Sequence, residues 1–380
     1  MADARQRLLI VTRNFPPLWG GMERLNWHMA EELARTYEVT VVGPSGSVDH
    51  APEGVRVIEA PLRPLWRFLL TATWRAIRLA RQQRPALVLA GSGLTAPIAW
   101  LAARASGARS AVYVHGLDLT VPHPLYRTAW HPALRRVDRV IANSSASARL
   151  AEQIGIARDR IAVVHPGVEI PELDPTARAR FRSRHGLREG APVLLSVGRL
   201  TTRKGLREFV SDVLPSIVSA HPDTVLLIVG DVPAHALFAQ AQTPESIRQA
   251  AAAAGVDGNV RFLGTLFDQD LADAYAGADV HVFPVRDIPN DPEGFGMVAI
   301  EAASHGLPTA AYATGGVIDA VEDGVSGRLV PPDQPLQMAS TVAQFLSSSA
   351  DRDVVRQYAS QFAWPTFGKA LSSVLTERVP

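Results

Sequence analysis

The sequence predicts an α/β fold of two domains, each with a parallel β-sheet covered by helices on both faces. Three observations lead to this prediction. Short apolar runs alternate with helix-like segments along nearly the whole chain, which is typical of parallel sheets. The chain has 380 residues, enough for two domains of ordinary size. A segment rich in proline and acidic residues, 166–175, divides the alternation into two halves.

The first half of the chain contains apolar runs with the length of strands. They cover residues 8–12, 39–42, 55–58, 86–90, 110–114, 139–142 and 161–164. Helical patterns lie between them in residues 21–36, 66–82 and 144–154, and we expect Ser144 to cap the last of these helices. Residues 86–103 carry no charge, but a Gly-Ser-Gly turn and a proline interrupt them. We therefore predict a buried strand, a turn and a buried helix there rather than a membrane span.

The second half repeats this order. Its apolar runs cover residues 192–197, 224–229, 260–263, 280–283 and 309–311. Its helical segments cover residues 206–220, 244–254, 271–276 and 298–305. We place a first domain at 1–168, a linker at 169–186 and a second domain at 187–361. Ligands of open α/β sheets bind at the carboxyl ends of the strands, so the loops that follow the strands are the ones to search.

Composition and charge restrict the possible functions. The chain contains no cysteine, which excludes disulfides, thiol catalysis and cysteine-ligated zinc and fits a reducing cytoplasm. Residues 1–170 hold 21 arginines against 13 acidic residues, a net charge of +8, and the remainder carries a net charge of −7. This asymmetry predicts an anionic partner for the first half. We do not expect that partner to be nucleic acid, because no recognition motif accompanies the charge.

One basic segment suggests what the anionic partner is. The segment from Leu62 to Arg84 has six arginines, two tryptophans and no acidic residue. Basic and aromatic residues on an amphipathic stretch suit the surface of an anionic membrane. A helix that buries its apolar face in the domain core and leaves its arginines in water would show the same pattern. Both interpretations remain open.

The most informative motif lies between Asn290 and Glu301. A strand is followed by Glu293, two glycines, a helical run and Glu301. Glycines let a backbone approach a ligand closely, and the N–H groups at a helix N-terminus bind phosphate. Glu301, about two turns into the helix, could reach another part of the same ligand. The arrangement suits a sugar nucleotide, although either acid alone could be a helix-terminus preference or a solvated residue.

Two cations follow the first strand of the second half. Arg199 can offer a two-pronged contact to a phosphate and Lys204 a point charge. Both stand where an α/β sheet binds ligands. Asp268 and Asp270 form a D-x-D sequence, but they precede a helical segment, so we interpret one of them as a helix N-cap. We therefore expect no bound metal to be needed.

On these motifs the chain resembles the retaining glycosyltransferases of family 4, which have the GT-B fold of two Rossmann-like domains facing each other across a cleft. Their E-x7-E signature is met by Glu293 and Glu301. Further resemblances to motifs of the family lie in residues 16–21, 112–116, 165–169 and 196–205. The C-terminal segment 362–380 resembles the family's last helix, which crosses back onto the first domain. The motifs look most like those of mannosyltransferases with lipid-linked acceptors, such as the phosphatidylinositol mannosyltransferases.

The resemblance implies a set of site residues. The implied catalytic residues are His115, Glu293, Arg199 and Lys204. The implied donor-binding residues are Gly21, Arg199, Lys204, Leu263, Glu293, Gly294, Phe295, Gly296, Met297, Val298 and Glu301. Trp19 and Asp118 are implied on the acceptor side. No cofactor or metal is implied.

The implied activity is the transfer of a hexose, with mannose favoured, from a nucleoside-diphosphate sugar to a glycan or a lipid-linked acceptor. GDP-mannose is the favoured donor, with a UDP-sugar as the other option. The enzyme would serve cell-envelope polysaccharide or glycolipid synthesis in the cytoplasm, either free or peripheral on the inner face of the membrane. Two alternatives stay open. One is a non-catalytic sugar-nucleotide-binding protein, which should lose His115 or Glu293; the other is an epimerase of similar shape, which would need an acid pair for deprotonation.

Overall fold

The computed structural model describes residues 5–232, 241–348 and 350–377. Residues 1–4 of the predicted first domain and 378–380 of the predicted C-terminal helix lie outside these ranges. The chain packs as two compact units. Unit 1 is Met1–Gly167 together with Trp364–Pro380, and unit 2 is Val168–Ala363.

The described part of unit 1 is built on a seven-stranded parallel sheet. Its strands are β1 Arg7–Val11, β2 Glu38–Pro44, β3 Arg56–Ala60, β4 Leu87–Ala90, β5 Arg109–Val114, β6 Arg139–Ala142 and β7 Ile161–Val163. They lie in the order β3-β2-β1-β4-β5-β6-β7. Apart from Arg7, Arg109 and Ser110 at their N-terminal ends, the central strands β1, β4 and β5 are apolar and buried. Because helices cover both faces of such a sheet, its strands are continuous apolar runs in the sequence rather than alternating patterns.

Six helices of the described chain belong to the first stretch of unit 1. They are α1 Gly21–Ala34, α2 Leu65–Gln83, α3 Ala96–Ser106, α4 Leu117–Thr120, α5 Pro124–Leu134 and α6 Ser145–Gln153. One core cluster joins the small buried residues of α2 and α3, such as Ala76 and Ala99, to Leu9 and Val88 of the sheet. Ser144 caps α6 as predicted, because its hydroxyl accepts from the backbone N–H of Ser147.

The described part of unit 2 has a six-stranded parallel sheet. Its strands are β8 Val193–Val197, β9 Val225–Val229, β10 Val260–Gly264, β11 Val280–Phe283, β12 Thr309–Tyr312 and β13 Gly327–Val330. They lie in the order β10-β9-β8-β11-β12-β13. Its helices are α7 Ala177–Arg184, α8 Leu206–Asp212, α9 Leu214–Ala220, α10 Pro244–Ala253, α11 Asp268–Gly277, α12 Met297–Ser304, α13 Val317–Ala320, α14 Pro335–Ser347 and α15 Arg352–Ser360. The last helix, α16 Trp364–Thr376, belongs to unit 1.

The structure differs from the sequence-based expectations in several elements, and helices α5, α14 and α15 were not predicted. The predicted linker 169–186 contains α7, whose Phe181 is buried in a core cluster of unit 2. Arg180 of the same helix donates to both carboxylate oxygens of Asp273 through its Nε and Nη2 atoms. The predicted helix 206–220 is two helices; Pro215, near the start of the second, lacks the N–H that would continue the first. Strand β13 was not predicted.

The D-x-D sequence also differs from expectation. Helix α11 begins at Asp268, its N-cap position is Phe267, and no side chain caps it. The predicted cap at Asp268 or Asp270 is therefore wrong, because the helix starts earlier than its apolar pattern. Asp270 instead pairs with Arg184 at 2.6 Å.

Two absences concern the described residues alone. Over 5–232, 241–348 and 350–377, no helix combines the length and the apolar character that a membrane span requires. The same ranges contain no cluster of three or more histidine and acidic side chains arranged to hold a metal ion.

Candidate active site

The loops after β8 and β11 lie against each other in unit 2. Gly205 ends the loop after β8 with a φ of 67°, and a Cβ there would stand 2.2 Å from the carbonyl oxygen of Pro284. Only glycine permits both this conformation and this approach. The backbone N–H of Arg286 also donates to the carbonyl of Arg203 at 2.8 Å. The contact brings the cations of one loop to the acids of the other.

Glu293 stands at the centre of this contact. Its Oε2 atom lies 2.9 Å from Lys204 Nζ and 3.1 Å from Arg203 Nε. The Arg203 N–H is not aligned for a hydrogen bond, so it acts there through its charge. Burial alone would raise the pKa of Glu293, but the neighbouring cations, Lys204 first, outweigh it and lower the pKa to about 2. Glu293 is therefore a buried carboxylate that stays ionised.

Lys204 is held on two sides. Its ammonium group binds Glu293 and lies 4.5 Å from the centre of the Phe283 ring, an arrangement favourable to a cation. Burial lowers the pKa of Lys204, and Glu293 opposes that shift. Arg199, on the same loop, is exposed, and its charge acts on both Lys204 and Glu293.

Arg203 was not among the predicted site residues. Its side chain is only 10% exposed and donates to Asp291 Oδ1 at 2.6 Å and to the Pro292 carbonyl at 3.1 Å. It thus fixes the backbone that carries Glu293. With Arg199, Lys204 and Arg203 against two carboxylates, the cluster keeps one positive charge in excess. No sequence signal separates Arg203 from an ordinary surface arginine.

The glycines after Glu293 serve a tight backbone turn. Gly296 precedes α12 with a φ of 95°. Gly316 packs so closely that a Cβ would stand 2.0 Å from the Gly294 carbonyl, and its N–H donates to the Glu293 carbonyl at 2.9 Å. The Phe295 side chain is buried in a core cluster of unit 2, so any contact with a ligand would fall to its backbone. Met297 and Val298, the first residues of α12, are half-buried.

Glu301 lies further along α12. Its Oε2 accepts from the hydroxyl of Tyr275 at 3.2 Å. Leu263 and Val298 are partly buried against the core cluster that contains Tyr275. The structure therefore joins Glu301 to a tyrosine that was not predicted, and Leu263 and Val298 pack against the cluster to which that tyrosine belongs.

The predicted residues of unit 1 follow β1 and β5. His115 follows β5 directly and is buried, and its Nε2 lies 3.2 Å from the carbonyl of Gly91. Because a carbonyl can only accept, Nε2 carries the proton of this bond. Asp118 Oδ2 accepts from the backbone N–H of His115 at 3.0 Å, so these two residues come together. Asp118 thereby fixes the end of the strand.

Gly21 and Trp19 lie elsewhere on unit 1. Gly21 is the first residue of α1, and the carboxylate of Glu23 lies over the preceding Gly20, where a Cβ would stand 2.5 Å from Glu23 Oε2. Trp19 is 76% exposed, with its ring edge-on to that of His50 at 6.1 Å. An exposed tryptophan on a tight loop is free to contact a ligand.

Two parallel α/β units with a cationic cluster at the strand ends fit a glycosyltransferase of the GT-B fold, and comparisons with known proteins show that class. The family described as "Glycosyltransferase Family 4" matches residues 19–171, and the one described as "Glycosyl transferases group 1" matches residues 177–362. The GDP-mannose-dependent α-(1-6)-phosphatidylinositol monomannoside mannosyltransferase of Mycolicibacterium smegmatis is 31% identical over 98% of each chain. The chain belongs to the family 4 glycosyltransferases.

Other relatives are more distant or partial. A D-inositol 3-phosphate glycosyltransferase of Streptosporangium roseum is 32% identical over 67% of this chain and 58% of its own. HepE from Anabaena in complex with UDP superimposes with a TM-score of 0.80 at 20% identity, covering 97% of this chain and 99% of that one. The sucrose-phosphate synthase of Thermosynechococcus elongatus gives a TM-score of 0.76 at 20% identity, over 98% of both chains. These two likenesses confirm the predicted fold.

Proposed function

We propose that this chain transfers mannose from GDP-mannose to a lipid-linked acceptor, with retention of configuration and without a bound metal. The observation that carries the proposal is the cluster of Arg199, Arg203 and Lys204 around the buried carboxylate of Glu293. The donor and the lipid acceptor follow the relative from M. smegmatis, which is named for both. A GDP-mannose donor and a phosphatidylinositol-type acceptor are accordingly the first substrates to test.

The cluster supports a role in the departure of the nucleoside diphosphate. In the transfer, the bond between the anomeric carbon and the β-phosphate oxygen breaks, and that carbon bonds to an acceptor hydroxyl oxygen. The hydroxyl proton leaves with the nucleoside diphosphate. Negative charge grows on the diphosphate as the bond breaks, and preorganised cations stabilise such charge strongly in a site with little water. Arg199 and Lys204 would supply this charge where other transferases use a metal.

Glu293 would orient the donor sugar. Its Oε2 atom is held by the cations, which leaves Oε1 as the oxygen for a sugar hydroxyl. An ionised carboxylate accepts such a bond more strongly than a neutral one. His115, which the resemblance implies as a catalytic residue, has its ring orientation fixed by the Gly91 carbonyl.

The experiment that tests the proposal compares donors on one acceptor. Purified protein is offered GDP-mannose, UDP-glucose or UDP-galactose with phosphatidylinositol monomannoside, the lipid in the relative's name, with and without EDTA. NMR establishes the anomeric configuration of the product. We expect α-mannosyl transfer from GDP-mannose alone, undiminished by EDTA. Transfer from a UDP-sugar would overturn the donor, a β-linked product would overturn retention, and loss of activity that only a divalent cation restores would overturn metal independence.

Variants separate the donor site from general damage in the same assay. Arg199→Ala should weaken GDP binding and reduce transfer by on the order of a hundredfold or more, the scale for loss of one preorganised donor. Arg188→Ala removes an arginine of the same unit that is 80% exposed and should change neither quantity. Unchanged GDP affinity in Arg199→Ala would remove this residue from the donor site.

We further propose that α2 carries the contact with an anionic membrane. Its buried face consists of Phe68 and three alanines, whereas Trp66, Leu70 and Trp74 are 58–65% exposed on the other side. Exposed arginines, Arg63, Arg67, Arg78, Arg81 and Arg84, flank these apolar side chains. A helix that needed only a core face would not place large apolar side chains in water beside the arginines, and this pattern suits a membrane interface.

A further inference from the structure

Tyr275 is buried beside α12, the helix that carries Glu301. It belongs to α11, its side chain is fully buried in a core cluster of unit 2, and its hydroxyl reaches Glu301 Oε2 of α12 at 3.2 Å. Its ring is stacked on that of His305, with 5.2 Å between the centroids and 18° between the planes. Tyr275 is thus an anchored side chain whose polar end meets an acid of the E-x7-E motif.

The direction of the hydrogen bond follows from the groups involved. An ionised carboxylate can only accept, so the tyrosine hydroxyl donates. A buried phenol needs a partner for its hydroxyl, and the core fixes where that hydroxyl stands. The bond therefore joins a buried, packed side chain to one that is only partly buried and has more rotatable bonds, Glu301.

His305 supports this anchor without adding charge. Burial, with a smaller contribution from the Arg356 charge, lowers the pKa of His305 to about 4. Near neutral pH its ring is therefore uncharged and serves as a flat packing surface. The orientation of the tyrosine then depends on packing rather than on ionic conditions.

We propose that Tyr275 is a positioning residue that holds the Glu301 carboxylate in the orientation that binds the ribose hydroxyls of the donor. This inference rests on the proposed function and adds to it that Glu301, the second acid of the E-x7-E motif, binds the ribose of the donor. A carboxylate bound at Oε2 cannot rotate freely, so it meets the ribose without first losing that freedom, and preorganisation of this kind improves binding. We assign the role to Tyr275 because its anchored hydroxyl donates directly to the Glu301 carboxylate.

The test uses Tyr275→Phe, which removes one hydroxyl and keeps the ring. Calorimetry measures the affinity for GDP, for 2′,3′-dideoxy-GDP and for pyrophosphate. We expect GDP to bind about five- to tenfold more weakly, as loss of one hydrogen bond would give. Dideoxy-GDP and pyrophosphate should bind as before. In transfer assays KM for the donor should rise by the same factor while kcat is retained.

A matched control and a second variant complete the test. Tyr358→Phe also removes one hydroxyl in unit 2, which contacts the Asp319 carbonyl, and should leave GDP affinity unchanged. Glu301→Gln should weaken GDP binding, and adding Tyr275→Phe to it should cause little further loss. If Glu301→Gln binds GDP normally, the ribose role itself fails. If Glu301→Gln is weak but Tyr275→Phe is normal, or the two losses simply multiply, the positioning role of Tyr275 is overturned. Unchanged pyrophosphate affinity shows that the cationic cluster is intact in each variant.

Discussion

At the scale of single residues, the candidate site depends on one buried carboxylate with several cations. Two of the cations, Arg199 and Lys204, could be predicted from the sequence together with Glu293. Arg203 could not be predicted, because in the sequence an arginine beside a lysine is typical of an exposed surface residue. Its burial and its bonds to Asp291 and Pro292 follow from the contact of two loops that lie far apart in the sequence.

The low pKa of Glu293 predicts a dependence of stability on pH. The folded-state pKa, about 2, lies below the ordinary value of 4.5. The stability that this gives is therefore fully present above about pH 4.5 and is lost as pH falls through the folded pKa. Denaturant unfolding of unit 2 should lose roughly 2 kcal/mol from this group between pH 6 and pH 3.

Glu293→Gln isolates that contribution. It should be less stable than the parent protein at pH 6, and the difference should shrink as pH falls. Glu245→Gln changes a glutamate whose side chain is 68% exposed and should keep the pH dependence of the parent. If the free energies of unfolding of Glu293→Gln and of the parent differ by the same amount from pH 6 to pH 3, Glu293 is not held ionised by the cations.

At the scale of elements, the sequence predicted those that consist of apolar runs. Most strands of both sheets were expected within one or two residues, since a strand buried on both faces is apolar throughout. Helix α7 was missed because it is rich in arginine, and its place depends on the partners Asp273 and Asp279. Strand β13 begins at Gly327, where a Cβ would stand 2.1 Å from the Thr309 carbonyl. The glycine is required by the close approach of two strands, but in the sequence a glycine is typical of a loop, so the strand was not predicted.

Helix α2 carries a prediction about membrane binding. The variant Arg67→Ser/Arg78→Ser/Arg81→Ser removes three exposed arginines beside the apolar stripe of Trp66, Leu70 and Trp74. At low salt, the parent protein should bind anionic vesicles far more strongly than neutral ones. Each arginine contributes about 1 kcal/mol near an anionic surface, so the variant should bind at least about tenfold more weakly. Flotation with vesicles that contain a known fraction of phosphatidylglycerol, and with neutral vesicles, measures the binding of both proteins.

The control changes arginines away from α2. The triple variant Arg158→Ser/Arg188→Ser/Arg248→Ser has the same change in net charge at side chains that are 56–91% exposed. It should bind vesicles like the parent. Equal losses in both variants would mean that net charge alone drives binding. No binding of the parent to anionic vesicles would remove the membrane role and favour a soluble acceptor.

At the scale of the whole molecule, the chain passes between its units twice. It leaves unit 1 after Gly167 and returns to it at Trp364. The return helix α16 is part of the unit 1 core, because Phe367, Leu371 and Leu375 are buried. Arg109 binds the carbonyls of Leu375 and Glu377 at the end of the helix. Helix α16 therefore stabilises unit 1.

Trp364 is the residue through which this dependence can be measured. Trp364 is 4% exposed, and its ring stacks on that of His28 with the centroids 4.0 Å apart. The ring also packs against Gly167 so closely that a Cβ there would stand 2.1 Å from it. Trp364→Ala should therefore destabilise unit 1 by about 3–5 kcal/mol, while the affinity of unit 2 for GDP is retained. Trp19→Ala, at a ring that is 76% exposed, should change stability by less than about 1 kcal/mol. Chemical unfolding followed by circular dichroism, with calorimetry for GDP, measures both. If Trp364→Ala is as stable as Trp19→Ala, then α16 contributes little to unit 1. If Trp364→Ala loses GDP binding at a temperature where only unit 1 is expected to unfold, the two units do not unfold independently.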